Sequence, residues 1–284
     1  NDNAVPEILP PIQEWKGEES GSFAITENTK VQYADDKFAY AAKALADDYK
    51  EMTGKTLAVE KVAAIPSAAV NDTITFGAGT SELGEEDYRM TIGPKSIQIG
   101  ANHSTAAYWA TRTILQGLNN SEDNTLAAGE MRDYPTMKVR GLIQDVGRKT
   151  FTLDYLKQLA KVLSWYKLND FQVHLNDNYI QLEQYKNVNG EDRRLIDPYS
   201  AFRLESDIKK GGNDGKNQAD LTAKDVFYTK EEFADYIEEC KKMGITIVPE
   251  FDMPAHALAM TKVRPDLKTP DSDMPHVTTN GNRS

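Results

Sequence analysis

The feature that most limits what this chain of 284 residues can fold into is an alternation that begins near Lys138. Lys138 to Val146 reads as a strand. Thr152 then opens a helix with an apolar stripe at Leu156, Leu159, Ala160 and Leu163, the spacing of one helix face. Phe171-Gln172-Val173-His174-Leu175 is a second strand. After a long polar stretch over 178–227, Thr229-Lys230-Glu231-Glu232 has the form of a capping box, in which the Thr229 hydroxyl and the Glu232 carboxylate satisfy each other's free backbone N–H groups. The helix it opens carries Phe233, Ile237 and Cys240 on one face and stops at Gly244, a residue suited to a left-handed cap. Ile245-Thr246-Ile247-Val248-Pro249 is a third strand and reads as one covered on both sides. Strand–helix–strand–helix–strand predicts parallel strands with right-handed crossovers, an α/β arrangement over 138–284.

The first half has a different rhythm. Residues 1–20 read as a Pro-rich, acidic surface segment. Phe23-Ala24-Ile25, Val31-Gln32-Tyr33, Leu57-Ala58-Val59 and Thr73-Ile74-Thr75-Phe76 are strand-like. Tyr88–Ile92 and Ser96–Ile99 alternate about Gly93-Pro94 and predict a hairpin. Helical spacing covers Lys37 to Met52, closed by Gly54, and a second helix runs from about Ser104 to Leu118. These elements predict a small α+β domain over residues 1–130, with 119–137 as a turn-rich linker.

Composition removes several functions. The formal net charge is −11, from 33 Lys and Arg against 44 Asp and Glu, which argues against a general nucleic-acid binder because phosphates need a basic surface. No apolar run approaches the ~18–20 residues of a membrane-spanning helix. Cys240 is the only cysteine, so an internal disulfide and a cysteine zinc cluster are both excluded. The chain opens on Asn1-Asp2-Asn3 rather than Met, which suggests that an upstream segment has been removed.

Charged and polar groups gather at the strand tips. Strand one contains Arg140 and runs into Asp145 and Arg148, strand two runs through His174 into Asp177, and strand three runs into Glu250, Asp252 and His256. Burying such groups apart is costly, so a shared polar cleft at the C-terminal ends of parallel strands is the economical reading. Each residue also has a plain structural reading. Arg140 reads equally as a buried ion-pair partner, Asp145 and Arg148 as a local pair, His174 as a hydrogen-bonded core histidine, Asp177 as a turn residue, and Asp252 with His256 as a turn pair.

Three segments in order carry a family resemblance: Arg140-Gly141-Leu142-Ile143-Gln144-Asp145-Val146-Gly147-Arg148, Lys167 to Asp177, and Gly244 to His256. They resemble glycoside hydrolase family 20, the β-N-acetylhexosaminidases, and the first domain resembles the α+β domain that precedes the barrel in that family. The resemblance implies the first part of a TIM (β/α)8 barrel, truncated after about three strands, because 138–284 is well short of the ~250 residues of a complete barrel. It implies removal of terminal β-linked N-acetylhexosamine from glycans by substrate-assisted retaining catalysis, with no cofactor and no metal, outside a bacterial cell or on its surface. It further implies Arg140 and Asp177 as substrate-binding residues, and Asp145, His174, Glu250, Asp252 and His256 as a supporting network. The family's polarising Asp and acidic Glu are adjacent. No Asp is followed directly by Glu here, so this chain is expected to be an N-terminal portion without the catalytic pair, and inactive alone.

The chain departs from the family pattern at Ala255, usually Gly, at Asn178, commonly acidic, and at Tyr179-Ile180-Gln181, where an aromatic-Arg pair is usual. This variant pattern also suggests the lacto-N-biosidases, which release a disaccharide. Two further classes compete: a non-catalytic carbohydrate-binding surface module, and a metal-dependent hydrolase using Asp145, His174, Asp177, Asp252 and His256. The second lacks a spacing such as His-Glu-x-x-His.

Overall fold

The computed structural model describes residues 2–180, 199–208, 221–223 and 226–267. The chain forms two compact units. The first takes in Asn1–Arg140, Lys161–Asn169 and Lys242–Ile245, and the second Gly141–Ala160, Asp170–Lys241 and Thr246–Ser284.

The first unit is built on a seven-stranded sheet. Its strands are β1 (Glu14–Phe23), β2 (Lys30–Tyr33), β3 (Ala58–Lys61), β4 (Thr73–Ala78), β5 (Tyr88–Ile92), β6 (Ser96–Ala101) and β7 (Leu126–Asp133). They lie in the order β1-β7-β5-β6-β4-β2-β3. β5 and β6 form the expected antiparallel hairpin about Gly93-Pro94. β5 alternates buried Tyr88, Met90 and Ile92 with exposed Arg89 and Thr91, so one face of the sheet is core and the other faces water.

Two helices complete the core. α1 (Ala39–Thr53) buries Ala41, Ala42, Leu45, Ala46 and Tyr49 and is closed by Gly54 at φ 73°. α2 (Ser104–Asn120) is buried from Ala106 to Leu118, polar residues included. Residues 161–169 account for part of this. Tyr108 Oη lies 3.0 Å from Ser164 Oγ, and Gln116 Nε2 donates to the Trp165 carbonyl at 2.6 Å. The segment 119–137 is more than a linker: β7 lies within it and pairs with both β1 and β5.

In the second unit, β8 (Gly141–Asp145), β9 (Asp170–His174) and β12 (Thr246–Glu250) form a parallel sheet with β9 central. α3 (Leu153–Trp165) follows β8, and α4 (Lys230–Lys242) precedes β12. The capping box forms as read: Glu232 N–H donates to Thr229 Oγ1 at 3.1 Å, and Thr229 N–H donates to Glu232 Oε2 at 3.0 Å. α4 buries Phe233, Tyr236 and Cys240, with Tyr236 deeper than the expected Ile237. β12 is not covered on both sides, since Ile247 is its only buried residue while Thr246 and Pro249 are exposed.

The expectation of a barrel cut after about three strands is corrected. The described residues form twelve strands. Besides the seven and the three, β10 (Asn176–Ile180), which runs into the span read as a polar stretch, pairs antiparallel with β11 (Tyr199–Phe202) inside it. Asn176-Asp177-Asn178 has the composition of a turn, which hides β10 from a propensity reading. Most of the polar stretch over 178–227, and residues 268–284, lie outside the described residues. Among those described, no helix is long and apolar enough to cross a membrane.

Candidate active site

The parallel register places Asp145, His174 and Glu250 side by side at the C-terminal ends of β8, β9 and β12. Residues in register on neighbouring strands point to the same face and sit ~4.8 Å apart, so these three are brought together by pairing alone. His174 Nδ1 is 2.9 Å from Glu250 Oε1, and Gln172 Nε2 donates to Glu250 Oε2 at 2.7 Å.

β10 begins one residue after Leu175, and its second residue, Asp177, turns back onto the strand tips. Asp177 is buried, and each of its oxygens meets an imidazole. Oδ2 is 2.6 Å from His174 Nε2, and Oδ1 is 2.9 Å from His256 Nδ1. Its own next residue contributes as well: Asn178 N–H donates to Oδ1 at 2.6 Å. Arg148 Nη1 lies 2.9 Å from Asp177 Oδ2 and 2.7 Å from Asp145 Oδ2.

Three local devices hold this arrangement. Gly147 lets the loop after β8 pass close to β10, since a Cβ there would lie 3.0 Å from the Asn176 carbonyl carbon and 3.1 Å from Asp177 N. Asn176 ties the loop after β12: it donates to the carbonyls of Asp252 and His256 at 3.2 and 2.9 Å and accepts from Asp252 N–H at 2.9 Å. His256 adopts φ 55°, a left-handed conformation that costs a residue with a Cβ and persists only where surrounding contacts fix it.

The electrostatics follow from these contacts. Burial alone would lower the His174 pKa, but the hydrogen bonds to Asp177 and Glu250 outweigh it and raise the pKa above its ordinary value. Burial opposes ionisation of Asp177, yet hydrogen bonds from His174, His256 and Asn178 N–H hold its pKa below the usual carboxylate range. Glu250 is likewise held low against its burial, through Gln172 and His174.

Arg203 is a residue the sequence reading missed. It is buried, and it donates to the carbonyls of Val146 and Gly147 at 3.0 and 2.9 Å and of Val226 at 3.0 Å. It thereby fixes the loop that carries Arg148. Its setting in a polar stretch gave no periodicity by which to find it.

The contacts of Arg140, expected among the substrate-binding residues, lie at the other end of β8. It precedes β8, whereas Asp145 ends it, and five strand residues span ~17 Å. Its guanidinium belongs to the first unit and bonds Glu86 through both terminal nitrogens, the Met137 carbonyl at 2.8 Å, and the Lys167 carbonyl at 2.9 and 2.8 Å. Those contacts use all five of its donors. The ion-pair reading of Arg140 is the one the structure displays.

Donor atoms of Asp145, His174 and Asp177 lie within 4.8 Å of one another, as do those of His174, Glu250 and Asp252. The set does not fit a resident metal. Both oxygens of Asp177 and one of Asp145 already face imidazole or guanidinium groups, and a metal would have to displace them.

Comparison with known sequences gives the family. Residues 5–134 match the model "Glycosyl hydrolase family 20, domain 2", and residues 137–283 match "Glycosyl hydrolase family 20, catalytic domain". The chain belongs to glycosyl hydrolase family 20. A β-hexosaminidase of Porphyromonas gingivalis is 24% identical over 269 residues, 90% of this chain and 31% of that protein. A β-N-acetylhexosaminidase of Cellulomonas fimi is 31% identical over 192 residues, 67% of this chain and 34% of that protein. The chain thus spans about a third of the length of these family 20 relatives. Among solved structures, a family 20 exo β-N-acetylglucosaminidase of Vibrio harveyi in complex with N-acetylglucosamine matches with TM-score 0.68 at 24% identity, over 96% of this chain and 41% of that one.

These matches correct two expectations. The likeness is not confined to the N-terminal domain of family 20, because residues 5–134 match its domain 2 and residues 137–283 its catalytic domain. The expectation of an inactive truncated fragment is corrected by the position of the second match. The family 20 catalytic-domain match falls on the span in which Asp145, His174, Asp177, Glu250 and Asp252 converge.

Proposed function

We propose that this protein is a glycoside hydrolase of the β-N-acetylhexosaminidase type, acting on glycans that end in an N-acetylhexosamine. Family membership supports the reaction class, and the names of the similar proteins support the sugar. The observation that carries the reading is the buried carboxylate of Asp177 holding an imidazole on each oxygen.

In this reading Asp177 is the fixed charge of the site. It orients His256, whose side chain is 42% exposed and which is the imidazole placed to exchange protons near the bound sugar. Asp145 holds Arg148 against Asp177 and keeps that charge in place. Glu250 and Asp252 line the same floor. No cofactor is called for. The similar proteins are bacterial, and we place the activity outside the cell or on its surface, where such glycans are met; fractionation of the source cells tests that location.

Assay of aryl N-acetyl-β-D-glucosaminide and galactosaminide tests the function. Release of the aryl group with N-acetylhexosamine as product is expected, falling by roughly 10²–10⁴-fold in Asp177→Asn, the range associated with a lost acid–base group. Absence of hydrolysis, or a rate untouched by that substitution, would sink the reading.

A further inference from the structure

We infer that His174 and Glu250 are positioning residues of this site, acting through Asp177 on His256. The inference rests on the hydrolase reading above and goes further into the same cluster. The observation behind it is an unbroken chain of alternating carboxylates and imidazoles. Glu250 Oε1 is 2.9 Å from His174 Nδ1, His174 Nε2 is 2.6 Å from Asp177 Oδ2, and Asp177 Oδ1 is 2.9 Å from His256 Nδ1.

The protonation pattern follows from donor counting. An ionised carboxylate only accepts, and a neutral imidazole has one donor. His174 meets a carboxylate oxygen at both nitrogens, so it satisfies both contacts only as an imidazolium. Its charge then shares Oδ2 of Asp177 with Arg148 and leaves Oδ1 to His256 and Asn178 N–H. That oxygen, at 2.9 Å a nearer partner of His256 Nδ1 than Arg148 Nη2 at 3.5 Å, is assigned the Nδ1–H, which leaves Nε2 as the nitrogen with a lone pair. Glu250 joins Asp177 in favouring the charged form of His174, and it is oriented in turn by Gln172.

Other groups face this imidazole. Asp145 lies beside it on β8, and Asp252 follows β12 with a donor atom within 4.8 Å. Arg148 reaches Asp177 Oδ2 from the loop after β8. The His256 ring stands edge-on, its centroid 6.3 Å away. Asp145 and Asp252 favour the cation, whereas Arg148 opposes it. Glu250 and Asp177 are the two carboxylates in hydrogen-bond contact with the ring.

The test is Glu250→Gln in the whole protein, followed by nitrogen-resolved NMR of the histidine rings and by kcat/KM across pH. In the parent at pH 7.5, His174 is expected to carry protons on both nitrogens, and His256 to show a hydrogen-bonded Nδ1–H. In the variant, His174 loses one proton at that pH and the His256 Nδ1–H signal weakens. At pH 7.5, kcat/KM falls at least about tenfold, then recovers toward pH 5.5 as His174 regains its proton. A purely structural role gives a loss that is flat with pH. That result, or a neutral His174 in the parent, overturns the inference. Should the parent fail to hydrolyse the glycosides, the function reading fails separately, and a His256 Nδ1–H signal indifferent to Glu250→Gln still sinks this one. His174→Gln serves if the first variant does not fold: it keeps a donor toward Asp177 without the charge, and it is expected to lose activity with no recovery in acid. Full activity in that variant also overturns the inference.

Discussion

Asp177 Oδ1 lies 2.9 Å from Nδ1 of His256, a residue 79 positions later in the chain. The contact depends on β10 folding back over the strand tips and on Asn176 tying down the loop after β12. A carboxylate so placed links activity to acid stability. Burial works against its charge, but His174, His256, Asn178 N–H and Arg148 prevail, so its folded pKa lies below the unfolded value of 3.8. A depressed carboxylate stabilises the fold above its unfolded pKa, and that contribution is lost as pH falls through the lower folded value. Asp177→Asn is therefore expected to unfold at lower urea concentration than the parent at neutral pH. The gap should narrow as pH falls below about 4. Urea midpoints measured from pH 7 down to pH 3 check this, and a gap constant with pH would contradict it.

His174 has the opposite sign. Its folded pKa is raised, because hydrogen bonds to Asp177 and Glu250 outweigh burial. A raised imidazole contributes fully below its unfolded pKa, about 6.5, and the contribution is lost as pH rises through the higher folded value. The parent is expected to lose stability on the alkaline side of neutral, and His174→Gln to lose less over that interval. Parallel curves of urea midpoint against pH would show that the imidazole titrates alike in both states.

Arg140 leads to a prediction about folding. Glu86 accepts from Arg140 and also from the indole N–H of Trp109 at 2.9 Å, so removing the guanidinium leaves a part-buried carboxylate short of its main partner. Arg140→Ala is expected to cost about 2–4 kcal/mol of stability. The loss should appear in urea unfolding rather than as a selective fall in kcat/KM. Unchanged stability with a large kinetic loss would return Arg140 to the sugar.

The helices and the parallel strands were legible because their signals are local. The stripe of α1, the capping box at Thr229 and the hairpin about Gly93 each depend on residues close in sequence. The gathering of Asp145, His174 and Glu250 was legible too, because a parallel sheet aligns its strand tips. What stayed hidden depends on partners far away. β10 carries the composition of a turn and becomes a strand only by pairing with β11. β7 looks like linker until β1 and β5 flank it. Arg140 sits in an apolar strand-like run and Arg203 in a polar stretch, and neither setting foretells its partners. Which carbonyls and carboxylates use up their donors is a tertiary fact that no spacing encodes.

Lys167 shows the same dependence, and its prediction is the sharpest for the first unit. Its ammonium is buried, 2.8 Å from Asp133 Oδ2 and 2.7 Å from Thr113 Oγ1, and Tyr88 Oη donates to the same Asp133 oxygen at 2.9 Å. Burial lowers the Lys167 pKa, and the Asp133 charge opposes that fall. Breaking a buried pair from one side leaves the other charge desolvated, at a cost of about 3–5 kcal/mol. Lys167→Met and Asp133→Asn are each expected to be destabilising on that scale. The double variant should be less destabilised than the sum of the two, by about 1–3 kcal/mol, because the second change no longer strands a charge. Its side chain is only part of the strain at this site, since Lys167 also adopts φ 58°, a conformation that favours glycine. Lys167→Gly is accordingly expected to be less damaging than Lys167→Met, although it removes more atoms. Urea unfolding of the four variants decides both points, and strict additivity of the pair would mean that Lys167 and Asp133 are neighbours without being coupled.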